Sequence, residues 1–111
     1  MASFDKDQVF ISKAITDTAT HVSTIAHTGE FSAEMTVAYN GFDQEVSLQL
    51  QGSIDDTNWL DIGVPFVLAS GLKDYDTVTD YFPLYRLTAI CSTAPSSGTL
   101  DAWIVKAKPN A

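Results

Sequence analysis

The chain has 111 residues, of which 45% are hydrophobic and 18% charged, and it carries a formal net charge of −8. That length suits one domain around one core and is too short for two; the mixture excludes an intrinsically disordered chain, and no apolar run approaches the roughly 20 residues of a membrane-spanning helix. Arg86 is the sole arginine, so the clustered positive charge that phosphate backbones and anionic bilayers require is missing, and neither nucleic acid nor membrane is an expected partner.

The first residues, Met1 to Asp7, have neither a basic start nor an apolar stretch of signal-peptide type, which leads to the expectation of a protein made in a cytoplasm. They are polar and do not alternate. Residues 1–7 therefore read as a flexible arm ahead of a single domain at 8–107, with 108–111 as a tail. Strands are expected over Val9–Thr16 and His21–Thr28. The stretch from Ile15 to Ala26 could pass for a helix, but its Thr, Val, Ser and Ile side chains favour extended backbone. His21 and His27 have equal parity, which on an uninterrupted strand puts both imidazoles on one face, open to a metal pair or a pH-sensitive contact; a surface or interface position is the ordinary alternative.

From Phe31 to Tyr39, apolar side chains occupy alternate positions with mainly small or polar ones between, the period of a half-buried strand. Asn40-Gly41 follows as a hairpin signal, and Val46, Leu48 and Leu50 then alternate with Ser47, Gln49 and Gln51, so these two strands are expected to pair. Ser53 to Asn58 reads as a turn before short strands at Trp59–Ile62, Phe66–Ala69 and Asp76–Tyr81. In strand geometry Asp74, Asp76 and Asp80 share a face, by default a solvated rim.

Tyr85, Leu87, Ala89 and Cys91 alternate with Arg86, Thr88 and Ile90, and Leu100, Ala102 and Ile104 with Asp101, Trp103 and Val105. Both runs are apolar on two faces, which suggests interior strands or strands whose outer face meets another subunit. The single cysteine, Cys91, has no internal disulfide partner and reads as a buried thiol. Many short strands, frequent turn residues and no sustained 3.6-residue stripe predict an all-β fold: an antiparallel β-sandwich, jelly-roll-like, of about eight strands.

The Asp55-Asp56-Thr57-Asn58-Trp59 segment is the strongest candidate for chemistry. Its carboxylates, with Asn58 and Asp61, could offer oxygens to calcium, but the later glutamate of a twelve-residue calcium loop is missing. A hairpin turn closed by Asp and Asn side chains is the reading adopted. No His-Glu-x-x-His, Gly-x-Ser-x-Gly or phosphate-binding glycine loop is present, so no catalytic residue, metal ligand or cofactor is assigned and the chain is not expected to be an enzyme. Trp59, Tyr75, Tyr81, Phe82, Tyr85 and Trp103 could form a sugar-stacking platform, although aromatics also fill sandwich cores and subunit interfaces.

The succession VSLQLQGSIDDTNWLDIG, YFPLYRLTAICS and GTLDAWIVKA resembles a class of small bacteriophage virion proteins over roughly residues 8 to 107. These are capsid decoration, or cement, proteins and related head or tail accessory modules. Asp56 stands where many of the related turns have glycine. The resemblance implies a non-enzymatic structural protein, localised to the virion's capsid surface, whose partner is the major capsid protein and which acts as a homotrimer. The two-sided aromatic strands place the trimer contact at Tyr81, Phe82, Tyr85 and Trp103. A capsid contact is expected from Ala2, Ser3, Phe4, Asp5, Lys6 and Asp7, an arm that could add a strand to a capsid edge. Two alternatives stay open: a carbohydrate- or receptor-binding sandwich, and a head–tail or tail accessory protein.

Overall fold

The computed structural model describes residues 3–28 and 32–108, with the side chains of residues 5–28 and 35–107. Among the described residues there are nine strands and no helix: β1 (Ser3–Lys13), β2 (His21–Val22), β3 (Ala26–His27), β4 (Ser32–Asn40), β5 (Val46–Ser53), β6 (Leu60–Leu68), β7 (Lys73–Thr77), β8 (Leu84–Ile90) and β9 (Leu100–Lys108). They form two antiparallel sheets, ordered β1-β9-β4-β7 and β2-β8-β5-β6, with β3 also on β8. Because β2 and β3 are two pieces of one broken strand, eight strand positions result. Their pairing is nested: β1 with β9, β2 and β3 with β8, β4 with β7, β5 with β6. A long hairpin rolled up in this way is a jelly roll.

The core lies between the sheets. From one side come Tyr85, Leu87 and Ala89 of β8 and Val46, Leu48 and Leu50 of β5; from the other, Leu100, Ala102 and Ile104 of β9, all buried. Both β8 and β9 are interior strands of their sheets, and each still turns one face outward, Arg86, Thr88 and Ile90 on β8 and Asp101, Trp103 and Val105 on β9. The Cys91 thiol is fully buried, and that burial raises its pKa. Tyr85 is buried as well, and its hydroxyl donates to the Asp80 carbonyl at 2.6 Å while accepting from the Phe82 amide at 2.9 Å. This phenol ties the loop before β8 to the end of the core.

Several expectations need correction. β4 and β5 do not pair, because Asn40-Gly41 carries the chain from one sheet to the other. The Asn40 side chain is buried there, donating to the Gln44 and Leu68 carbonyls and accepting from the Phe42 amide, while the Gly41 amide bonds to the Thr99 carbonyl. These bonds satisfy a crossing backbone that would otherwise be buried without partners. The opposing Gly98 has φ of 94°, and a Cβ there would lie 1.9 Å from the Gly41 carbonyl oxygen. Only glycine fits that crossing.

The expected strands at 59–62 and 66–69 are one strand, β6, interrupted where its register with β5 slips between the Leu50–Ile62 and Leu48–Phe66 pairs. Gly63, at φ of 67°, makes the bulge, and Gln49 Nε2 donates to the Ile62 carbonyl across it. The strand expected at Asp76–Tyr81 sits earlier, at Lys73–Thr77.

The boundary expected at residue 8 falls inside β1, since Ser3 to Asp7 pair with Lys108 to Ile104. An edge strand needs only a neighbour's backbone, so a polar run without alternation can still be a strand. A charge pair helps to hold it: the buried Lys106 ammonium lies 3.1 Å from Asp7 and 3.0 Å from the His27 carbonyl. Ala2 and residues 109–111 lie outside the described residues, and Lys108 belongs to β9.

The crossing gives a direct test of what joins the sheets. Asn40→Ala leaves three backbone groups short of a partner and lowers the unfolding free energy in urea by about 2–4 kcal/mol.

Candidate interaction surface

The acidic loop between β5 and β6 resolves into a turn. Asp55 accepts from the Thr57 amide at 3.0 Å, the Asn58 amide at 2.8 Å, the Asn58 side chain at 2.8 Å and the Ser53 hydroxyl at 3.1 Å. These bonds, the Asn58 amide first, hold its carboxyl well below the usual carboxylate range. The oxygens that might have met a cation are spent on the loop's own donors. Asp56 has φ of 63°, the left-handed conformation that glycine adopts freely, so its place in the motif is a glycine place in geometry. Gly52, at the other end of the motif, lets the Phe82 ring lie on β5, since a Cβ there would come within 2.6 Å of it.

β4 carries the main departure from the sequence reading. Its small side chains, Thr36 and Ala38, are the buried ones, and Met35, Val37 and Tyr39 point to solvent. The alternation is as expected, but the larger apolar set is on the outside. Strand pairing extends that face: Met35 lies opposite Val105, Val37 opposite Trp103 on β9 and opposite Tyr75 on β7. Residues opposed in antiparallel strands share a face. Six apolar side chains therefore form a stripe on the solvent side of the β1-β9-β4-β7 sheet, flanked on the same face by Lys6, Gln8 and Asp101 toward β1 and by Lys73 and Thr77 on β7.

Tyr39 and Trp103 meet edge to face with centroids 4.8 Å apart, and Lys73 Nζ stands 4.9 Å from the Tyr39 centroid. Tyr75 is 62% exposed and Tyr39 40%, both large for aromatic side chains. The centre of the other sheet's solvent face is polar by contrast. There Arg86 Nε donates to Gln51, Gln51 donates to Asp61, and the Arg86 guanidinium lies 4.2 Å over the Trp59 ring.

The four residues expected at a trimer contact do not form one surface. Tyr85 is buried within a single chain and has no area to give a partner; its phenol pKa is raised by that burial. Phe82 packs on the core, Tyr81 is 83% exposed in the loop before β8, and Trp103 belongs to the outer face of the opposite sheet. Of the expected capsid-contact arm, Ser3, Phe4, Asp5, Lys6 and Asp7 do not stand free but pair with β9 as part of an edge strand.

The histidines separate as well. His21 pairs with Ala89 and His27 with Leu84, positions of opposite parity on β8, because the strand is broken between β2 and β3. His21 instead meets Asp17 at 2.7 Å, and that bond lowers the Asp17 pKa. Asp43 is lowered by its bonds with Ser96. Among the described residues no group of three or more His, Cys, Asp or Glu converges as a metal site.

No family model matches the chain, and neither does any curated protein. Among solved structures, a crystal structure of PirA is similar with a TM-score of 0.57 and 12% identity, covering 92% of each chain. A chain in the structure of the infectious bursal disease virus Gx strain is similar with a TM-score of 0.54 and 10% identity. It covers 96% of the present chain, which spans 33% of that viral chain. At these identities the likeness is one of fold.

The turn yields two separable outcomes. Asp56→Val places a branched side chain at positive φ and lowers stability by about 1–2 kcal/mol, whereas Asp56→Gly is tolerated. Because the folded Asp55 carboxyl has a depressed pKa, its contribution is complete above the ordinary aspartate range and is lost as pH falls toward the folded value. Asp55→Asn removes that part of the acid sensitivity, measured by urea unfolding on either side of that range.

Proposed function

We propose that this chain is a non-enzymatic accessory protein of a bacteriophage virion that adheres to the outside of an assembled capsid and stabilises it, acting as a trimer. The observation that carries the reading is the outward apolar set of β4, which with β7 and β9 presents Met35, Val37, Tyr39, Tyr75, Trp103 and Val105 to solvent. A chain of net charge −8 that keeps such a face on a regular sheet has a surface suited to a protein partner. The rigid sheet holds the aromatic anchors in place before binding, so little ordering entropy is spent on contact.

Two further features support the virion setting. The QGSIDDTNW hairpin and the strands after it resemble decoration proteins; Asp56, where many of them have glycine, has φ of 63°, a conformation that glycine adopts freely. The jelly-roll fold is also similar to part of a chain in a virus structure. Small contacts suffice for such a role. Linking three of them in one trimer raises avidity by roughly 10²–10⁴ when all can engage together.

A sugar-stacking role for Trp59 has less to offer, since one face of its ring is already covered by Arg86. The test uses assembled capsids of the parent virus that have been stripped of this chain. Tyr39→Ser and Trp103→Ser, each still folded by circular dichroism, weaken binding by about tenfold or more, while Gln49→Ala on the opposite sheet binds as the wild type does. Full capsid occupancy by both sheet-face variants contradicts the proposal.

A further inference from the structure

The two long sides of the sandwich are complementary in a way that neither the fold nor capsid adhesion requires. On one side the edge strands β6 and β7 stand apart, leaving a cleft of about 140 Å³ between the sheets. Ile62, Val64, Phe66 and Val78 give it apolar walls, Asp76 and Asp80 line it too, and no cation does. Val64 is 82% exposed at its mouth. The side is an edge that nothing among the described residues covers, although Pro65 and the bulge at Gly63 keep it from being a flat template for endless strand addition.

On the other side, β1 and the segment running on from β2 form a groove of about 260 Å³, lined by Val9, Phe10, Ile11 and Val22 with Lys13 and no carboxylate. Ile11 is 68% exposed and Val22 51%. The strand orders put the two features at opposite ends: β1 and β7 terminate one sheet, β2 and β6 the other.

We propose that copies of this chain associate head to tail, the β6–β7 edge of one seating in the β1–β2 groove of the next. Val64 meets Ile11 and Val22, and Lys13 meets Asp76 and Asp80. Two β6–β7 edges brought together would instead set Asp76 and Asp80 against their own copies, a like-charge contact that costs affinity. A contact between unlike surfaces is heterologous, and it closes into a ring when the rotation between neighbours permits. It supplies the subunit contact of the trimer, resting on the proposed function for the number of subunits only. It also leaves the Tyr39–Trp103 face free for the capsid.

Sedimentation of the full-length chain between about 1 μM and 1 mM reads the association, that range spanning weak to moderate binding. The wild type forms a discrete species larger than a monomer. Val64→Glu and Ile11→Glu each weaken that association by about tenfold or more. Each variant keeps one intact side, so an equimolar mixture of the two forms a one-to-one heterodimer and nothing larger. A monomeric wild type, undiminished association of either variant, or a mixture that stays monomeric overturns the proposal. Capsid binding is read separately on Tyr39→Ser and Trp103→Ser, which leave both long sides intact; undiminished capsid occupancy by those two removes the adhesive face and leaves the association measurement standing.

Discussion

The structure depends on one constraint: four central strands, β9 and β4 against β8 and β5, must turn alternate side chains toward a single shared interior. Tyr85, Leu87 and Ala89 from one sheet and Leu100, Ala102 and Ile104 from the other fill it. Each fully buried large apolar side chain contributes about 1.5–3 kcal/mol relative to exposure, so this packing dominates the favourable side of folding. Bulky groups on β8 and β5 leave room on β4 only for Thr36 and Ala38. That asymmetry sends Met35, Val37 and Tyr39 outward, and the outward apolar stripe is its direct consequence.

Polar groups determine how the two layers are joined. Asn40 and the close approach of Gly41 and Gly98 let the chain cross between sheets, and the Tyr85 hydroxyl pins the loop ahead of β8. The Asp7–Lys106 pair binds the first strand to the last. The pair adds less to net stability than its Coulomb attraction suggests, because the Lys106 ammonium must leave water while Asp7 stays partly exposed, where solvent screens the attraction.

Much of the architecture could be read from residue order. The alternations around Tyr85–Cys91 and Leu100–Val105 have a period of two, and their unbroken apolar sets, Tyr85, Leu87 and Ala89 and Leu100, Ala102 and Ile104, face the core. The turn at Asp55 was legible because Ser, Asp and Asn bond to nearby amides whatever surrounds them. The parity of β4 was not, since alternation divides a strand into two sets without saying which set faces inward. Asn-Gly marks a sharp change of direction, and a crossing between sheets uses it as readily as a hairpin does. The strand pairing of the arm and the opposite parity of the two histidines were hidden for a related reason. Backbone pairing of Ser3–Asp7, and the break between β2 and β3, are properties of neighbours distant in sequence.

The central claim is that this rigid jelly roll works by adhesion through the open face of one sheet. A cryo-electron microscopy map of the parent virion, at a resolution that separates side chains, tests it most directly. The account predicts copies of the chain spread over the outer shell, with Tyr39, Tyr75 and Trp103 buried against the major capsid protein. Copies confined to a tail or vertex, or seated on the shell with that aromatic face turned to solvent, would contradict it.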